Sequence, residues 1–237
     1  MSASSGDNAD PLSGWRPKAI VFDLLTALID SWSLWDAACV TTATSPGVGR
    51  RWRERYLEIT FGAGAYTPYE DLVREAARDA GLPPSAPAAL LQDWATLRPW
   101  PEAGRVLRTL RARGYALGVV TNCSKILGRS AARGVENCAS NGGGEGEDSS
   151  FAFDAVVTAE ESGYYKPLRP AYEAVLTAMG VAPGEVLFVA GSAGDVQGAT
   201  DAGMRVVWHN RIRLAGVGDA IALREGITLD DTLIGVL

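Results

Sequence analysis

Apolar positions along the chain fall into two kinds of segment. Short unbroken apolar runs read as strands buried on both faces: Lys18-Ala-Ile-Val-Phe-Asp23, Tyr115 to Val120, Phe153 to Thr158, Val186 to Ala190, and Arg205 to Trp208. Between them lie segments with helical spacing. Arg105 to Arg113 sets Val106, Leu107 and Leu110 on one face before stopping at Gly114, and Pro170 to Met179 closes at Gly180. Strands alternating with helices predict a doubly wound, Rossmann-like α/β core on a parallel sheet. Such sheets bind ligands beyond the carboxyl ends of their strands.

One interval breaks the alternation. Between the first two strands, Trp32–Val40, Arg50–Phe61, Tyr69–Ala80 and Ala86–Leu97 all carry helical spacing. That is too much chain for one crossover, so a helical cap over residues 31–98 is expected. The core is then 15–30 and 99–237, with Pro99 and Pro101 marking the return. The polar stretch Met1 to Gly14 reads as a disordered tail, and Gly-rich residues 139–150 as a flexible loop insertion.

Composition narrows the chemistry. The 237 residues are 47% hydrophobic and 21% charged, with a net charge of −6 and no basic stripe, which argues against nucleic acid. There is no long apolar run to span a membrane. Cys39, Cys123 and Cys138 form neither a metal motif nor a disulfide framework, so a cytoplasmic setting is expected. The single histidine, His209, and the absence of a Gly-x-Ser-x-Gly elbow leave catalysis to carboxylates, lysine and hydroxyls.

Those groups gather behind strands: Asp23; Thr121 and Asn122; Lys166; Ser192 and Asp195. Taken singly, each has a bland reading as a helix cap, a turn residue, a loop lysine or a first-turn acid. Together, on one edge of a parallel sheet, they suit covalent catalysis by a carboxylate. Lys166 would keep Asp23 ionised, and a second acid would activate water.

The motifs Val21-Phe-Asp23-Leu-Leu-Thr-Ala-Leu, Val120-Thr121-Asn122, Tyr165-Lys166-Pro167 with Tyr172, and Phe188-Val-Ala-Gly-Ser192-Ala-Gly-Asp195 resemble the haloacid dehalogenase superfamily from about Lys18 to Arg211. The resemblance implies catalytic Asp23, Lys166 and Asp195. Within the superfamily, Leu25 stands where phosphatases carry a second Asp, and Ala190-Gly191 where they carry Gly-Asp. The chain therefore looks more like the L-2-haloacid dehalogenase branch, which implies no metal and no cofactor. Trp52-Arg53-Glu-Arg-Tyr56 to Phe61 resembles that branch's cap helix and offers Arg53 to a substrate carboxylate or leaving group, with Arg50, Arg51 and Arg55 read as a solvated face. The implied substrate contacts are Arg53, Thr121, Asn122, Tyr172 and Ser192, with Tyr69 a further candidate for the pocket wall. Trp208-His209-Asn210-Arg211 is read as structural.

Three departures stand out: Thr26-Ala27 replaces Gly-Thr, Ala190-Gly191-Ser192 replaces Ser-Ser-Asn, and Gly194 replaces an aromatic. The expected activity is metal-independent hydrolysis of small 2-substituted carboxylic acids through an aspartyl ester. Related strained-ring openings, of azetidine-2-carboxylate or cis-epoxysuccinate, stay open, although a histidine would be expected at Ser192 for the epoxide. A magnesium-dependent phosphatase and a non-catalytic binding protein of the same fold are the alternatives. The expected partner is a small carboxylate, with a homodimer left open, no nucleic acid and no membrane.

Overall fold

The computed structural model describes residues 11–40, 46–141 and 150–237. Six parallel strands form one sheet. β1 (Ala19–Phe22) is central, with β4 (Ala116–Thr121) and β5 (Ala155–Thr158) on one side and β6 (Val186–Ala190), β7 (Arg205–His209) and β8 (Glu225–Gly226) on the other. The chain therefore leaves β1 in one direction and returns past it in the other. That reversal opens a crevice at the carboxyl end of β1, which is where ligands bind in open α/β sheets.

Alternation along the strands divides the core. Ile20, Phe22, Leu117, Val119, Leu187 and Val189 face one side, packed with α5 (Ala103–Ala112) and α6 (Lys125–Ser140). Ala19, Val21, Val120, Val186 and Phe188 face the other, packed with α8 (Arg169–Met179) and α9 (Ala193–Asp201). The sheet is thus covered by helices on both faces, which is why its strands read as continuous apolar runs.

Between β1 and β4 the chain forms α1 (Ser31–Ala37), α2 (Val48–Gly62), α3 (Tyr69–Asp79), α4 (Ser85–Gln92) and a 3₁₀ turn at Trp94–Thr96. A two-stranded antiparallel ribbon, β2 (Ile29–Asp30) with β3 (Arg98–Pro99), brings the two ends of this helical segment together. Its apolar faces join the same hydrophobic cluster as the α5/α6 side of the sheet. Ala65 also makes an isolated antiparallel bridge with Tyr164, in the stretch between α7 (Ala159–Ser162) and α8. α10 (Leu229–Thr232) closes the chain beside β8.

Several expectations change. The sixteen-residue α6 has no clear counterpart in the sequence pattern, because its buried face is built largely of small residues, among them Gly128, Ala131, Ala132 and Ala139. Ala139 and Ser140, expected in a flexible loop, end that helix; 142–149 lie outside the described residues. Of the expected tail, Met1 to Asp10 lie outside the described residues, while Pro11–Gly14 form a turn with Leu12 buried in the core. Apolar burial of Leu12 and the Trp15 N to Leu12 O hydrogen bond hold that turn. The expected helix Ala86–Leu97 splits at Asp93 into α4 and the 3₁₀ turn. Among the described residues, no helix is long and apolar enough to cross a membrane.

Candidate active site

β1 ends at Phe22, and the next residue points its carboxylate into the crevice. Asp23 is 6% exposed. Its Oδ2 accepts three hydrogen bonds from the turn that follows: Thr26 Oγ1 at 2.5 Å, Thr26 N at 2.9 Å and Ala27 N at 3.2 Å. Its Oδ1 accepts one, from Lys166 Nζ at 2.7 Å. Gly191 lets this turn sit against the end of β6, since a Cβ there would fall 2.2 Å from Thr26 Oγ1 and 2.3 Å from Ala27 N.

Lys166 is 1% exposed and also lies 3.0 Å from the carboxylate of Asp195. Asp195 occupies the first turn of α9, fully buried, and accepts from Tyr172 Oη at 3.0 Å and Ser192 Oγ at 3.1 Å. Lys166 itself is held by Asn122. The Asn122 amide donates to Lys166 O at 3.0 Å and accepts from Lys166 N at 2.7 Å.

One ammonium between two carboxylates splits their ionisation. Burial pushes both acids up. For Asp23, the charge and hydrogen bond of Lys166, helped by Thr26, outweigh burial and hold the acid below its ordinary value. For Asp195, burial and the negative charge of Asp23 win over Lys166, and its pKa rises. Burial would lower Lys166, but the two carboxylates overcome it and keep it protonated. Neighbouring acids pushed apart in this way take different roles. The Cys123 thiol, close behind, is pushed up to about 12 by burial, so it stays protonated at neutral pH.

The opposite wall comes from α2. Of Arg50, Arg51, Arg53 and Arg55, Arg53 alone is buried. Its guanidinium lies 4.8 Å from the Tyr56 ring centroid, 5.1 Å from Trp35 and 5.5 Å from Trp32. Nη2 donates to Ser31 Oγ at 3.1 Å, while Nε and Nη1 are buried without a protein acceptor. Buried guanidinium donors normally find partners. Two such donors on a residue that lines a cavity suit a planar anion.

The cavity between these walls is lined by Asp23, Leu25, Thr26, Arg53, Tyr56, Leu57, Thr60, Phe61, Thr121, Asn122, Lys166, Ser192 and Asp195. Its volume is about 20 Å³, room for roughly one water molecule. The structure therefore brings Asp23, Lys166, Asp195, Arg53, Thr121, Asn122 and Ser192 to one cavity. Tyr172 does not reach it, because the ring is packed behind Asp195 against Phe188. Tyr69 does not reach it either: its ring lies edge-on to Tyr56 and Trp94, one layer behind the wall. Asn122 borders the cavity, and its two bonds to the Lys166 backbone leave one amide N–H and one oxygen lone pair uncommitted.

Sequence reasoning passed over Thr26, Tyr56, Leu57, Thr60 and Phe61. The last four repeat at three- and four-residue intervals from Arg53, the spacing of one helix face, so their signal was present. Thr26, one place before the position the resemblance favours, still delivers its hydroxyl to Asp23. The histidine His209 is buried with Nδ1 2.8 Å from Ala27 O, bracing the same turn from behind.

Residues 17–203 match the haloacid dehalogenase-like hydrolase family, and the chain belongs to it. It is a hydrolase of the α/β fold described above. Among curated relatives, haloacetate dehalogenase H-2 of Moraxella sp. (strain B) is 29% identical over 84% of this chain and 88% of its own length. An (S)-2-haloacid dehalogenase of Xanthobacter autotrophicus is 31% identical over 80% and 73%. The crystal structure of an L-2-haloacid dehalogenase superposes with a TM-score of 0.74 at 28% identity, covering 93% of this chain and 99% of that one.

Proposed function

We propose that the protein hydrolyses small 2-halo carboxylic acids without a metal, through an ester on Asp23. The observation that carries this reading is the continuous contact Asp23–Lys166–Asp195, at 2.7 and 3.0 Å, facing a buried arginine with two unmatched donors.

The substrate carboxylate pairs with Arg53, whose fork matches a planar anion. Asp23 Oδ1, which accepts one hydrogen bond against three on Oδ2, keeps a free lone pair and attacks the substituted carbon. The carbon–halogen bond breaks and halide leaves, giving the ester. Asp195, the acid with the raised pKa, then takes a proton from water. The resulting hydroxide adds to the Asp23 carbonyl carbon. Negative charge develops on Oδ2, where Thr26 N, Thr26 Oγ1 and Ala27 N are already in place as an oxyanion hole. Collapse expels the alkoxide, which takes the proton of the new Asp23 carboxyl and leaves as the 2-hydroxy acid; Asp195 gives its proton to solvent, and both acids are regenerated as carboxylates.

The haloacetate dehalogenase among the relatives makes chloroacetate the first substrate to test. The phosphatase alternative is less supported. Leu25 removes one acid, and the two carboxylates present already share the Lys166 ammonium, leaving one net negative charge for a divalent cation. The segment 31–98 acts as the cap, supplying Arg53 and its aromatic surround.

Single turnover of chloroacetate in ¹⁸O-labelled water tests the reading: label is expected in the Asp23 carboxylate. A panel of chloroacetate, 2-chloropropionate, azetidine-2-carboxylate and cis-epoxysuccinate separates halide loss from ring opening. Turnover of an aryl phosphate that requires magnesium would overturn the assignment.

A further inference from the structure

A second cavity of about 580 Å³ lies outside the first. It is lined mainly by apolar groups, including Leu57, Phe61, Ala193, Leu214, Ala215 and Val217. Leu57, Phe61 and Ser192 line both cavities, so these three side chains form the partition between them. Gly194 makes the partition possible. A Cβ at that position would fall 2.7 Å from Phe61 Cδ1 and 2.8 Å from Cε1, so the ring fills the space that a larger residue would occupy. Phe61 is half-buried, with its ring between the two spaces.

The cap is secured on the Lys166 side. The Tyr66 N–H donates to Gly163 O and the Tyr165 N–H to Gly64 O, both at 2.8 Å, and Tyr165 Oη donates to Thr67 O at 2.7 Å. Tyr56 Oη donates to Asn122 O at 2.8 Å, and Ser124 Oγ to Glu70 Oε1 at 2.8 Å. Opening there would break five hydrogen bonds, whereas rotating Phe61 away from Gly194 breaks none.

We propose that Phe61 determines how long a substrate the enzyme accepts, and that the outer cleft is a subsite for the apolar tail of longer-chain 2-substituted carboxylic acids. The inference rests on the proposed placement of the substrate carboxylate at Arg53. With the charged end held inside, a tail directed at the Leu57, Phe61 and Ser192 partition reaches the outer cleft once the Phe61 ring turns away. The cleft is large enough for several methylenes.

The test uses unreactive acids, so it does not depend on turnover. Acetate and hexanoate are titrated calorimetrically into the full chain, into Phe61→Ala and into Phe61→Leu. Each methylene moved from water into apolar contact contributes about fourfold in affinity. The hexanoate-to-acetate affinity ratio is therefore expected to rise at least about tenfold in Phe61→Ala, and less in Phe61→Leu. Adding Ala215→Trp to Phe61→Ala, which refills the cleft away from the catalytic groups, is expected to return the ratio to its original value. An unchanged ratio in both Phe61 variants, or no hexanoate binding to either, overturns the inference. Chloroacetate turnover is measured in parallel. Turnover without a shift in the ratio leaves the proposed function standing and removes the role of Phe61. A shift without turnover does the reverse.

Discussion

The two walls of the cavity solve the problem of buried charge in opposite ways. On the core side, Asp23, Lys166 and Asp195 compensate one another, and Thr26, Ala27, Tyr172 and Ser192 donate to their other oxygens, leaving the lone pair on Asp23 Oδ1. On the cap side, Arg53 is equally buried but uses one nitrogen on Ser31 and rests its face on Trp35 and Tyr56. The charges of the core wall are matched within the protein, whereas the cap wall keeps two guanidinium donors without a protein acceptor. Chemistry that forms and breaks an ester needs the first kind of wall, because fixed donors need no reorganisation as charge moves. Recognition benefits from the second, because unmatched donors are repaid only by the right ligand.

Substitutions can break that contrast or sharpen it. The largest effect is expected for Asp23→Asn, which removes the nucleophile. Chloroacetate turnover should fall on the order of 10⁴-fold or more, and steady-state kinetics showing a loss under tenfold would end the covalent reading. Asp195→Asn should leave ester formation and stall its hydrolysis. A loss of about 10² to 10⁴-fold in kcat is expected, with the ester accumulating on Asp23 in an intact-protein mass spectrum.

Lys166→Met leaves two carboxylates facing each other in a buried site. It should cost about 3–5 kcal/mol of stability, read from the urea midpoint. Arg53→Met should show the opposite pattern. Removing a charge with two unmatched donors should change stability by only about 1 kcal/mol, while kcat/KM for a halo acid drops about 100-fold. If both variants lose the same stability, the two walls do not differ in the way described.

The smallest effect concerns pH. Asp23 must be ionised to attack, and its pKa is held below the ordinary 3.8, so ester formation persists as pH falls to that value. Asp195 must be ionised to take a proton from water. In the free enzyme burial and the Asp23 charge raise its pKa above 3.8; esterification removes the Asp23 charge, and burial, the larger cause, remains, so ester hydrolysis is expected to fail first on acidification. Pre-steady-state rates across pH 3–7 should therefore show two acid limbs, with the hydrolysis limb at the higher pH. Coincident limbs would remove the division of labour between the acids.

Much of the site was legible from the chain. Asp23, Thr121 and Ser192 stand at or just beyond strands whose apolar runs are plain, and parallel strands bring such ends to one edge. Arg53 stood out among four arginines by resemblance, and its helix face already carried Tyr56, Leu57, Thr60 and Phe61. Two expected side chains stay away from the cavity for a reason no linear pattern holds. Tyr69 and Tyr172 sit on the correct elements but one layer too deep. Whether a side chain reaches a cavity or supports the residue that does depends on packing depth, which periodicity does not encode. α6 was invisible for a related reason: its contact face is made largely of glycine and alanine.

The sequence alone determined five strands of the parallel sheet, their order along the chain and the set of reactive groups at the sheet's edge. These follow from local apolar periodicity and from the handedness of strand–helix–strand connections. Only the tertiary structure decided how the charges divide: which acid is held ionised and which is pushed up, which arginine nitrogens are left unmatched, and how small the space between the walls is. Burial and the distance of each charge from Lys166 set those properties, and both arise from residues far apart in the chain.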